Sequence, residues 1–255
     1  MTTPGTLTRT QRMLASQPHC IFCGGLTPAS TVEHMPSRVL FDGKQRPRGL
    51  EFPSCQPCQE STRKAETVFA VLSRFYPDPS TNTRRAEFKK LLLAAERHNP
   101  GLLVEMDTDQ LGHLQRLGNV IPSLPSWNFL HVGGPICTSS VSAFAVKLGL
   151  ALHYEVTRRI VPKGGVAVVA RFSNIDAFTG DMPKEALALF GPGQTLQMGK
   201  FRLDAQFEYS SLYAADTMTM SAHFATFRMS MALIILVCHS EDDIPEGVFG
   251  DRFRV

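Results

Sequence analysis

At 255 residues, with 43% hydrophobic and 19% charged side chains, the chain has the composition of one large globular domain or two ordinary ones, not of a disordered segment. A net charge of +3 is too mild to argue for nucleic acid by itself. Met1 to Met13 lacks an apolar core of signal-peptide length. The longest apolar run, Met229 to Cys238 broken only by Ser230, is too short to span a bilayer. The expectation is a cytoplasmic chain with no membrane partner.

Residues 1–19 are polar, Thr-rich and without a clear period, and read as an N-terminal arm. Cys20-Ile21-Phe22-Cys23-Gly24-Gly25 has the form of a zinc knuckle, with glycines that let the backbone turn under a metal. In Thr31 to Leu40, Val32, Met35, Val39 and Leu40 are the expected core anchors. Pro36 argues against a regular helix through the adjacent Glu33-His34 pair. Asp42 to Gly49 is basic and loop-like, with Gly43, Pro47 and Gly49 as breakers. A second knuckle, Cys55-Gln56-Pro57-Cys58, follows Glu51-Phe52-Pro53. Ala65, Val68, Phe69 and Leu72 then repeat at helical spacing.

Two Cys-x-x-Cys pairs in a chain expected to live in a reducing compartment point to one tetrahedral zinc on Cys20, Cys23, Cys55 and Cys58. Two separate redox pairs are the competing reading. Four thiolates fill the coordination shell, so this zinc is structural and leaves no position for water. The 31 residues between Cys23 and Cys55 suffice for a hairpin or loop insert carrying functional groups. Residues 1–75 hold nine Lys/Arg against five Asp/Glu, and the remainder 17 against 18, so the basic surplus is modest and N-terminal.

The order Cys-x-x-Cys, acid-His-x-Pro, basic loop, Pro-x-Cys-x-x-Cys and helix resembles the HNH endonucleases of the zinc-stabilised ββα-metal class. More narrowly it is similar to a bacterial and phage group in which the acid-His pair is followed by Pro and a Leu-Phe pair, here Leu40-Phe41. The likeness covers about a fifth of the chain. It continues in Lys147 to Glu155, similar to a helix found downstream in such proteins. It implies His34 as the general base that takes a proton from attacking water. It also implies Glu33 as an acid that holds a catalytic Mg²⁺ or Mn²⁺ ion or orients the site. The family usually has Asn or His directly after the fourth cysteine, completing the catalytic-ion site. Here Gln59 stands there, one methylene longer than Asn but still with an amide oxygen, and the resemblance implies that it helps Glu33 hold the ion. Glu60 or Glu66 could supply a carboxylate instead. Taken alone, His34 could be a satisfied, partly buried histidine. Arg38, Lys44, Arg46 and Arg48 are candidate phosphate contacts facing His34, and each taken singly could be a solvated charge.

Tyr76 to Thr83, with two prolines and polar turn formers, is the expected boundary. Arg84 to His98 reads as an amphipathic helix stopped by Pro100-Gly101, Asp107 to Leu117 as a short helix, and Ile121 to Pro135 as a loop holding the only tryptophan, Trp127. Ser139 to Ile160 carries Val141, Phe144, Ala145, Leu148, Leu152 and Val156 on one face, with Pro162 and Gly164-Gly165 beyond its end. Val166 to Phe172, Phe201 to Tyr209 and Ala222 to Cys238 read as strands. Cys137 and Cys238 read as buried thiols, and His153, His223 and His239 carry no metal-like spacing.

The expected fold is therefore α+β: a 20–75 zinc-bound, HNH-like module behind a 1–19 arm, then an 84–255 α+β domain with an antiparallel sheet covered by the Ser139–Ile160 helix. The expected function is metal-dependent hydrolysis of phosphodiester bonds in DNA. The later domain would serve targeting, homodimer formation or a protein partner. Two alternatives stand beside it: a non-catalytic, zinc-stabilised nucleic-acid- or protein-binding scaffold, and a thiol-redox protein using its cysteine pairs.

Overall fold

The computed structural model describes residues 7–75, 82–107, 132–173, 176, 180–198, 201–202, 206–228 and 230–255. The first helix, α1 (Arg9–Ser16), lies where the sequence reading placed an arm. Thr8 and Gln11 explain it. The Thr8 hydroxyl accepts from the Gln11 N–H, and the Gln11 side chain accepts from the Thr8 N–H, which closes a capping box. Then β1 (Thr31–His34) pairs antiparallel with β2 (Glu51–Ser54), in a register that sets His34 opposite Glu51 and Glu33 opposite Phe52. The loop between them, with short helical turns at Arg38–Leu40 and Asp42–Lys44, carries the basic residues. Straight after β2 come α2 (Gln56–Ser61), which begins inside the second knuckle, and α3 (Arg63–Leu72). The order over residues 31–72 is β-β-α.

Two further helices, α4 (Asn82–His98) and α5 (Leu102–Asp107), lead to α6 (Pro135–Thr157). Pro135 at its first turn is pre-set for a helix start. The Glu105 carboxylate accepts from the Ile136 and Cys137 N–H groups at 2.8 and 2.7 Å, placing an anion at the positive end of the helix. Arg158, in the left-handed region at φ 56°, ends it. Among the described residues α6 is the one helix long and apolar enough to cross a membrane. Most of it is buried inside the fold, so its apolarity serves the core.

α6 lies on a five-stranded, wholly antiparallel sheet. The remaining elements are β3 (Val166–Ser173), α7 (Lys184–Leu187), β4 (Gln197–Met198), β5 (Phe201–Arg202), β6 (Glu208–Tyr213), β7 (Met220–Phe227), β8 (Met231–Cys238) and β9 (Asp251–Arg254). The sheet order is β6-β7-β8-β3-β9, while β4 and β5 form a separate two-stranded ribbon. The fold is thus mixed α+β with a small hairpin sheet and a larger antiparallel one. β7 alternates buried and half-exposed residues, whereas β3 and β8 are buried almost throughout, as central strands covered on both faces are. Gly149 lets α6 approach closely, since a Cβ there would sit 2.5 Å from Ile235 Cγ2.

One hydrophobic cluster runs from the hairpin into the sheet. The Phe69 ring of α3 stacks on Phe144 of α6 with centroids 4.0 Å apart, and meets Phe227 of β7 edge-on at 4.8 Å. All three are fully buried, each contributing about 2–3 kcal/mol of transfer free energy. A polar tie acts alongside: the Arg228 guanidinium, beyond β7, grips Asp42 in the β1–β2 loop through contacts of 3.0 and 3.2 Å. The hairpin that carries His34 is therefore seated on the sheet layer.

Helix α6 starts four residues before the expected Ser139 and ends at Thr157, ahead of Ile160. The run Ala222 to Cys238 holds parts of two paired strands, β7 ending at Phe227 and β8 beginning at Met231, and β9 was not foreseen. Most of the expected boundary at 76–83, nearly all of the expected helix at 107–117, and 121–131 of the Trp127 loop lie outside the described residues. So do 1–6 of the arm and 203–205 of the expected 201–209 strand.

Candidate active site and metal centre

The four predicted cysteines converge. One ligand atom from each of Cys20, Cys23, Cys55 and Cys58 lies within 4.8 Å of the other three. Tetrahedral Zn–S bonds of about 2.3 Å put sulfurs roughly 3.8 Å apart, so a small contraction closes the site. The local backbone is built for it. The Phe22 N–H points at Cys20 Sγ at 3.4 Å, and Gly24 turns at φ 66°, where a Cβ would press on the Lys163 backbone at 2.6 Å. Burial, then neighbouring thiols, push the Cys58 thiol far up, and burial raises Cys20. Burial also pushes Cys23 up, but hydrogen bonds from Thr27, Cys20 and Cys58 together overcome it and hold this thiol lower. Crowded, dehydrated sulfurs of this kind suit a bound cation. The donor set fits zinc, which would close the ends of the β-β-α segment and leave no open position. Cys137 and Cys238 are free and buried, as expected of core thiols.

Glu33 and His34 part company. Neighbouring residues of a strand face opposite sides. Glu33 is 5% exposed and faces α6, where the Lys147 ammonium lies 3.3 Å from its Oε2. Burial pushes the Glu33 carboxyl up to about 7, with Lys147 opposing and Glu66 reinforcing the shift. The sequence reading set Glu33 and His34 together at one catalytic ion, and the strand turns the two side chains to opposite faces. The Lys147 ammonium stands at Glu33, and the imidazole lies on the other side of the strand. Gln59 follows Cys58 on α2, half-buried, its N–H donating to the Cys55 carbonyl at 3.1 Å.

His34 looks out on the opposite face. The carboxylate beside it is its cross-strand partner Glu51, with Oε1 3.8 Å from His34 Nε2, and Arg9 of α1 holds the other Glu51 oxygen at 3.3 Å. The imidazole is about one-third exposed. Burial first, then the Arg46, Arg38 and Arg9 guanidiniums, hold it below its ordinary value against the pull of Glu51, so it is neutral at pH 7 and able to accept a proton. Glu51 also lines an open cleft of about 570 Å³ whose walls include Arg9, Arg12, Gln17, Tyr154 and Arg158. Arg9 is paired with Glu51 and Arg158 with Glu155, so the cleft is lined by arginines whose charge is partly balanced.

The four basic loop residues divide. Arg38, Lys44 and Arg48 are exposed. Arg46 turns inward and donates to the carbonyls of Pro36, Pro47, Met35, Gly49 and Leu50 at 2.5 to 3.2 Å, so it staples the loop and is spent as a phosphate contact. Sequence reasoning missed Glu51, Arg9, Arg12, Arg158 and Lys147. Strand alternation over 31–34 was the available signal that Glu33 and His34 cannot share a face.

The later histidines form a hydrogen-bonded chain. His223 Nδ1 meets the Ser211 hydroxyl at 2.8 Å and His223 Nε2 meets Ser221 at 2.8 Å. Ser221 meets His153 Nδ1 at 2.7 Å, and His153 Nε2 lies 3.1 Å from His239 Nε2. Burial depresses His153 to about 4 and His223 to about 3, so both are neutral, satisfied core groups.

No family model matches this chain, no curated protein matches it, and no solved structure matches its fold. The four-sulfur cluster is the feature of the HNH-like pattern that the coordinates bear out.

Proposed function

We propose that this chain is a zinc-stabilised endonuclease of HNH type that hydrolyses phosphodiester bonds in DNA, with His34 as general base. One observation carries the reading: a neutral, solvent-reaching imidazole stands on the first strand of a β-β-α segment bracketed by four converging cysteines, beside an arginine-lined cleft. His34 takes a proton from water, the water oxygen bonds to phosphorus, and the bond to the leaving sugar oxygen breaks. Glu51 steadies the imidazolium that forms. The guanidiniums of Arg9 and Arg38 face the charge that grows on the phosphoryl oxygens. Zinc supplies rigidity and takes no part in the proton transfer.

The test is cleavage of supercoiled plasmid by zinc-loaded wild type and His34→Ala, in buffers with and without Mg²⁺ or Mn²⁺. Cutting by wild type alone supports the reading, and equal cutting by both proteins overturns it. A second reading, a non-catalytic zinc-stabilised scaffold that binds nucleic acid or protein, is favoured by the capture of Glu33 by Lys147. It predicts DNA or protein binding with no His34-dependent cutting under any ion.

A further inference from the structure

Lys147 is 4% exposed in the middle of an apolar helix, a costly place for a charge. Its ammonium lies 3.3 Å from Glu33 Oε2 on β1 and 3.4 Å from Glu66 Oε1 on α3, and donates to Thr62 Oγ1 at 2.7 Å. Thr62 in turn donates to Glu66 at 2.7 Å, and the Phe22 ring faces the ammonium from 5.4 Å. The cluster holds two buried carboxylates and one cation. Glu33 Oε2, fully dehydrated, has the ion pair but no hydrogen bond of its own. Hard oxygens from two elements and a hydroxyl, converging on one positive atom, are the donor set of a divalent-cation site.

We propose that Lys147 is a tethered cation that stands where a divalent ion would otherwise sit between Glu33 and Glu66, so that this protein carries the charge of that pocket on its own helix. Because β1 bears Glu33 and His34 in succession, Lys147 is also a positioning residue: by fixing Glu33 inward it fixes His34 outward. This second consequence rests on the nuclease reading, whereas the cation pocket does not.

The test uses the zinc-loaded full chain with Mn²⁺ as the sole added ion, and reads free Mn²⁺ by electron paramagnetic resonance together with thermal midpoints. Lys147→Ala is expected to bind Mn²⁺ at least about tenfold more tightly than wild type and to gain thermal stability on adding it. Glu33→Gln in the Lys147→Ala background removes the second charge and is expected to lose that binding while remaining folded. If Lys147→Ala folds only when Mn²⁺ is present, the proposal is supported too. It is overturned if Lys147→Ala binds Mn²⁺ no better than wild type, if the double variant binds as tightly as the single one, or if Mn²⁺ cannot restore an unfolded single variant. Absence of plasmid cutting would defeat the nuclease reading while leaving the Mn²⁺ result standing.

Discussion

Arg46→Ala separates a structural arginine from a phosphate contact. The Arg46 guanidinium serves five backbone carbonyls in the loop that joins β1 to β2. The Leu50 carbonyl keeps a partner in the variant, the Met35 N–H at 3.1 Å. The other four lose the guanidinium, and at about 1 kcal/mol for each hydrogen bond the loss approaches 4 kcal/mol. Water entering at half-buried Gly49 recovers part of it, leaving about 3 kcal/mol. For a chain of this size that is a fall of roughly 6–12 °C in thermal midpoint. Arg46→Lys keeps the charge but not the planar fork, and should recover little. Urea unfolding gives the stability, and DNA affinity at several salt concentrations gives the number of phosphates engaged. Arg46→Ala should lose stability with an unchanged salt slope, while joint substitution of Arg38, Lys44 and Arg48 should flatten the slope at wild-type stability. A stable Arg46→Ala protein with a flattened slope would refute the assignment.

Other perturbations probe the same framework. The folded-state value of Glu33, about 7, lies above its ordinary 4.5, so its contribution is fully present below pH 4.5 and is lost as pH rises through 7. Relative to wild type, Glu33→Gln should therefore gain about 2 kcal/mol between pH 5.5 and pH 8, and parallel pH–stability curves would contradict the burial of this carboxyl. If His34 is the base, activity should fall with acid through a value below 6.5. Arg38→Ala should move that limb upward, because it removes one cation that disfavours the imidazolium, and an unmoved limb would separate the two residues. Cys58→Ser should reduce zinc from about one per chain and loosen the hairpin, read by metal analysis and proteolysis; full zinc retention would break the four-sulfur assignment. Gly149→Ala drives a Cβ to 2.5 Å from Ile235 Cγ2 and should cost about 1–3 kcal/mol in a thermal melt, with no loss sinking the proposed close approach.

What the sequence disclosed followed from local chemistry. Cys-x-x-Cys spacing is a short-range constraint, so the four-cysteine cluster was readable without a fold. The helix through Leu148 and Leu152 and the strands through Val169 and Ile235 were readable from apolar periodicity. Side-chain direction and long-range pairing were not. Arg46 looks like any loop cation until the carbonyls it serves are brought around it. Lys147 was legible as an oddity, a charge in the middle of an apolar helix, but its partners Glu33 and Glu66 lie more than 80 positions away. Glu51 became the neighbour of His34 only once the β1–β2 register was fixed. The capping box of Thr8 and Gln11 was legible and overlooked.

The most direct measurement is plasmid cleavage by zinc-loaded His34→Ala with and without free imidazole, against wild type in the same buffer. The nuclease assignment predicts a loss of about a hundredfold or more in the variant and partial recovery when imidazole is added. Equal cutting by both proteins, or no cutting by wild type under any ion, would contradict it.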